Sequence, residues 1–135
     1  MRPMLCMNKV GLLFLGLVFS VSVYCAEISE ETEQQIEHLL TFISSSPCQF
    51  MRNGKWYLAS DAADHIRKKY NYVLKKGLVK TPEDFIEYSA TKSSMSGKAY
   101  QVQCGDGAKM KSADWLQAEL ARYRNISNDD ARETP

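Results

Sequence analysis

Cys48-Gln49-Phe50-Met51-Arg52-Asn53-Gly54-Lys55-Trp56-Tyr57-Leu58 is the stretch on which the fold turns. Asn53-Gly54 supplies the positive φ angles that a two-residue hairpin turn needs. That turn sets the register: Arg52 faces Lys55, Met51 faces Trp56 and Phe50 faces Tyr57. Successive side chains point to opposite sides, so both faces of the hairpin carry apolar groups, and something should cover each in part.

Working outward, Ser60 is placed to cap a helix from Asp61 to Lys76, with Ala62, Ala63, Ile66, Tyr70, Val73 and Leu74 as its buried stripe and Gly77 at its end. Thr81, Pro82 and Asp84 carry the signature of a capped short helix that buries Phe85, Ile86 and either Tyr88 or Ser89. Lys92-Ser93-Ser94-Met95-Ser96-Gly97-Lys98 reads as a small-residue loop. Tyr100, Val102 and Cys104 alternate as a strand, and Gly105-Asp106-Gly107 turns the chain. Ser112 opens a last helix with Trp115, Leu116, Leu120 and Tyr123, and residues 125–135 read as a flexible polar tail. Before the hairpin, Ile36, Leu39, Leu40 and Ile43 recur at helical spacing behind Ser29 as N-cap, and Ser44-Ser45-Ser46-Pro47 stops that helix.

The first 26 residues have the order of an export signal. Arg2 and Lys9 precede an apolar run from Val10 to Val23, then Cys25-Ala26, then acidic residues from Glu27. Two cleavage positions compete: a cut after Cys25 sets Val23 and Cys25 at the small-residue positions, and one after Ala26 leaves the bulky Tyr24 there. Tyr24 also argues against lipid attachment at Cys25. Met7 begins as good a signal as Met1. The run is a little short for a span of about 20 residues, which favours removal over anchoring. Export to an oxidising compartment, periplasmic or secreted, joins the remaining pair, Cys48 and Cys104. The bond brings the 99–104 strand beside the hairpin. The expectation is one α+β domain over residues 27–124: a small antiparallel sheet, hairpin plus one strand, packed by about four helices in the order α-β-β-α-α-β-α.

Composition restricts the function classes more than it selects one. Seventeen Lys and Arg against sixteen Asp and Glu give a net charge of +1, falling to about −1 once Arg2 and Lys9 leave. A near-neutral chain gives no ground for nucleic-acid binding, and no stable membrane span remains after signal removal. The charge is unevenly spread: the start of the domain is acidic, whereas Arg52 to Lys111 holds twelve Lys and Arg against six Asp and Glu. Two cysteines with His38 and His65 make a poor zinc set, and no cofactor or metal is expected.

The 92–98 loop is the best candidate site. Lys92, Ser93, Ser94, Ser96, Gly97 and Lys98 bring two ammonium groups, three hydroxyls and a glycine, the ingredients of an anion nest. The competing account is a connection whose serines satisfy their own backbone. Arg67 and His65 on the second helix would join the site if that helix packs beside the loop. Arg52, Lys55 and Arg67 with Tyr57 and Trp56 form a second basic group, explicable as solvated stems over aromatic surface. Ser89-Ala90-Thr91-Lys92 matches the S-x-x-K nucleophile motif, but its companion motifs are missing.

Phe50-Met51-Arg52-Asn53-Gly54, residues 62–69 (AADHIRKK), residues 81–86 (TPEDFI), residues 92–100 (KSSMSGKAY) and Trp115-Leu116 together resemble the YfeK-like family of small exported bacterial proteins, a domain of unknown function. The resemblance covers nearly the whole domain to about Tyr123. It implies a periplasmic location and no established activity, ligand or catalytic residue.

The reading that follows is a non-catalytic binding or interaction module of the cell envelope, with an envelope protein or an anionic glycan as its class of partner. The alternative is a small hydrolase in which His65 serves a serine of the 93–96 loop, and that needs the two within hydrogen-bond reach. A third reading makes the hairpin a rigid wedge that inhibits or stabilises another protein.

Overall fold

The computed structural model describes residues 27–133; the segment read as an export signal and the last two residues lie outside it. The order is α1 (Glu30–Ser45), β1 (Cys48–Arg52), β2 (Lys55–Leu58), α2 (Ala59–Lys75), α3 (Pro82–Phe85) continued by a π-helical turn (Ile86–Ala90), β3 (Gln101–Cys104), β4 (Met110–Lys111) and α4 (Ser112–Glu133). This is the expected α+β arrangement, with one addition. β4 pairs with β3 and extends the antiparallel sheet to four strands in the order β2-β1-β3-β4.

The hairpin has the register set by its turn. Arg52 pairs with Lys55, Met51 with Trp56 and Phe50 with Tyr57, around Asn53 at φ 52° and Gly54 at φ 78°. β3 lies antiparallel on the other side of β1, with Cys48 opposite Cys104, and these two residues form the disulfide, Cα atoms 4.1 Å apart. Cys48, Phe50 and Val102 point toward the helices and are buried, as are Ile36, Leu39, Leu40 and Ile43 of α1 and Leu116 and Leu120 of α4. Trp115 closes that layer, stacked on Phe42 at 4.4 Å and edge-on to Phe50 at 5.6 Å between ring centres.

One expectation needs correction, and three gain detail. Both faces of the hairpin are covered in part, as expected: on the face away from Phe50, Met51 and Trp56 are half-buried with the Lys109 ammonium over the Trp56 ring, while Leu58 is 64% exposed. Ser60 does not cap α2: strand β2 runs straight into the helix, so extended Leu58 occupies the cap position without a side-chain bond. Of the two candidates after Ile86, Ser89 is the buried one and Tyr88 is exposed. The polar residues 125–133 continue α4. No Pro or Gly interrupts them, and extending a helix already nucleated by its packed first half costs little per residue. Ser127 Oγ donating to the Tyr123 carbonyl at 3.0 Å adds local support.

Thr81 and Asp84 form the expected capping box: each side chain accepts from the other's backbone N–H, at 3.1 and 3.0 Å. This fixes where α3 begins and aims Phe85 into the core, edge-on to Tyr70 at 5.3 Å. Among the described residues no helix is long and apolar enough to cross a membrane.

Candidate functional site

The loop from Lys92 to Lys98 is closed on itself. Ser93 is buried; its N–H donates to the Lys98 carbonyl and its own carbonyl accepts from Gly97 N–H, both at 2.9 Å. The Ser93 hydroxyl accepts from Ser96 N–H at 3.4 Å, and the Ser96 hydroxyl accepts from Lys98 N–H at 3.2 Å while donating to Asn53 Oδ1 at 2.5 Å. Gly97, at φ 71°, makes the reversal that this closure requires. The backbone donors of Ser93, Ser96, Gly97 and Lys98 are thus occupied internally, and an anion would have to displace those bonds. Ser94 and the side chains of Lys92 and Lys98 face solvent.

Arg67 is not part of this cluster. Its guanidinium grips both oxygens of Glu37 on α1 at 2.8 Å, which pins α2 to α1. His65 points elsewhere, toward the sheet. His65 and Lys69, four residues apart on one helical face, both meet Tyr100: His65 Nε2 is 3.1 Å and Lys69 Nζ 3.3 Å from the phenol oxygen. Lys69 also donates to the Lys92 carbonyl at 2.7 Å, which ties the loop to the helix. An ammonium can only donate, so the Tyr100 oxygen accepts from Lys69, and the imidazole tautomer sets which way the bond to His65 Nε2 runs.

The electrostatics favour an uncharged imidazole and an uncharged phenol. Burial, and then the charges of Arg52, Lys69 and Lys68, push His65 below the ordinary histidine value, so its neutral form is favoured. Burial and Arg52 also lower Lys69, and burial raises Tyr100. Raising a phenol is the opposite of what a nucleophile needs.

Beside this chain of bonds lies a cleft of about 320 Å³, its open mouth included. Phe50, Met51, Ala62 and Ile66 supply apolar lining between the hairpin and the first half of α2. Its polar lining residues are Arg52, Tyr57, Asp61, His65, Tyr100 and Ser112. The Arg52 guanidinium sits 4.5 Å from the centre of the Tyr57 ring, and Lys55 lies over the same ring at 5.3 Å. Ser112 is 1% exposed, and its hydroxyl has no hydrogen-bond partner. It reaches this place because its N–H donates to the Tyr100 carbonyl at 3.0 Å where β4 ends.

A scan against family models matches residues 30–124 to DUF5329, a family of unknown function. The chain belongs to that family. Comparisons with curated proteins and with solved structures found no match.

Of the sequence-derived site residues, the structure brings His65 to the cleft, holds Lys92 near it through Lys69, closes Ser93, Ser96 and Gly97 within their own loop, and commits Arg67 to Glu37. Among the described residues no hydrogen bond links His65 to Ser93, Ser94 or Ser96, and nothing here supports the hydrolase alternative. Ser89 of the S-x-x-K match is fully buried, out of reach of a dissolved substrate. Sequence reasoning missed Tyr100, Lys69, Asp61 and Ser112 as site residues. The four-residue spacing of His65 and Lys69 was the one available signal; Ser112 joins only through the pairing of β3 with β4.

Proposed function

We propose that this protein is an exported, periplasmic or secreted, non-catalytic binding module of the cell envelope, acting through the cleft between the hairpin and α2. The observation that carries the reading is the bonding pattern around Tyr100. Lys69, the phenol and His65 satisfy one another, with the phenol raised and the imidazole favoured neutral, an arrangement suited to holding a group in place. The Cys48–Cys104 bond supports export, because such pairs persist where thiols are oxidised. The acidic stretch after an apolar leader supports it too, as does the likeness to small exported YfeK-like proteins. An envelope protein or anionic glycan remains the proposed class of partner.

Crosslinking and pull-down of the tagged protein from native envelope tests the reading. A saturable partner released by competition with untagged protein is the expected result. Turnover of an envelope component by the purified protein, lost in His65→Ala, would replace binding with catalysis.

A further inference from the structure

We propose that the cleft binds a single carboxylate carried on a short apolar stem. The inference rests on the binding-module reading and supplies its ligand class. Three features of the cavity converge on it. Its lining is largely apolar, from Phe50, Ile66 and their neighbours, and its mouth is open, so an apolar stem can lie against it while a charged head stays at the edge. Ser112, one of its lining residues, carries a buried hydroxyl without a partner, although buried polar groups are nearly always bonded. At its edge stands Arg52, half-buried against the Tyr57 ring.

Arg52 differs from the other described arginines. Arg67, Arg122, Arg124 and Arg132 each hold a carboxylate, whereas among the described residues Arg52 makes no ion pair. A planar guanidinium fork matches a carboxylate in bidentate geometry. Charge then selects among anions. Of the charged lining residues Arg52 is positive and Asp61 negative, with Lys55 over the same Tyr57 ring and Lys69 on Tyr100 as further cations nearby. A carboxylate needs only the Arg52 fork, whereas a phosphate dianion would also meet the Asp61 carboxylate. The apolar lining requires a stem, which inorganic ions lack. Free small acids and the C-terminal residue of a peptide share this chemistry.

The test is an NMR titration of the protein purified with the Cys48–Cys104 bond intact. The probes are phenylacetate, a short peptide ending in Phe, the same peptide as its C-terminal amide, and inorganic phosphate. We expect saturable shifts at Arg52, His65, Tyr100 and Ser112 with phenylacetate or the peptide acid, and binding of the amide weaker by about tenfold or more. Tighter binding of phenylacetate assigns a free acid as the source; tighter binding of the peptide acid assigns a chain terminus. Arg52→Met should weaken the better probe by about tenfold. Ser112→Ala should weaken it by about three- to tenfold without lowering the melting temperature, since that hydroxyl has no bond to lose. Equal binding of acid and amide, preference for phosphate, or no saturable shift with either carboxylate would overturn the assignment. An envelope partner retained equally by wild type and Arg52→Met would leave the binding module standing and remove this ligand.

Discussion

Glu119 shows what one buried charge does here. Its side chain is 4% exposed on α4, and its oxygens meet His38 Nε2 of α1 at 2.6 Å and the Arg122 guanidinium at 2.6 and 2.7 Å. His38 in turn stacks on Tyr123, ring centres 4.0 Å apart. Removing the carboxylate strands these donors, and Glu119→Ala should cost about 1–3 kcal/mol in chemical denaturation, the upper end limited because Arg122 reaches solvent. Acid should act on the same groups. The bonds from Arg122 and then His38 hold the Glu119 carboxyl below the ordinary carboxylate range, and the Arg124 and Arg67 bonds do the same for Glu83 and Glu37. A depressed folded pKa stabilises above the unfolded value, and that contribution fades as pH falls through the folded one. His65 adds a milder effect at higher pH. Its folded pKa also lies below the unfolded one, so the unfolded chain takes up the proton first and stability declines as pH drops below about 6.5. Melting temperatures from pH 7.5 to 3 should fall in two stages, and His65→Gln should flatten the first while leaving the second.

The hairpin and the capping box carry the local instructions of the fold. Gly54 sits at φ +78° with open space where a Cβ would go, so the cost of Gly54→Ala is conformational and not steric. About 1 kcal/mol of destabilisation is expected in urea titration. Thr81→Ala should cost about as much by freeing the Asp84 N–H at the start of α3. These were the elements most legible in the sequence, because Asn-Gly and Thr-Pro-Glu-Asp act within four residues. The register of β1 with β2 and the opposition of Cys48 to Cys104 followed from the turn and the cysteine count. Element ends were less legible. Ser60 looked like a cap because nothing in the sequence said that strand β2 would enter α2 without a loop. β4, with two residues, is too short to display an alternation. The continuation of α4 through the polar tail was not legible because those residues show no apolar stripe, although a helix propagates through polar residues once its first half is packed.

At the scale of the molecule, one covalent bond joins the central strands β1 and β3 across a sequence separation of 56 residues. The chain-entropy account of such a loop gives about 4 kcal/mol, so reduction should lower the melting temperature by more than about 10 °C. Scanning calorimetry with and without reductant measures it. The site was less legible than the fold for a related reason. The 92–98 loop has a suggestive composition, but its hydroxyls and backbone donors close the loop itself. The cleft is assembled from the hairpin, α2 and the residues that flank the paired ends of β3 and β4, so Arg52, His65, Tyr100 and Ser112 meet only after the sheet has formed. Composition marks polar groups; topology decides which of them share a cavity.

Mass measurement of the protein isolated from cells under conditions that trap thiols tests the central claim, an exported and covalently braced binding domain. The account predicts a chain recovered from the envelope fraction, shortened near Cys25 or Ala26, that gains two hydrogens on reduction. A full-length chain in the cytosol with Cys48 and Cys104 both reduced would contradict it.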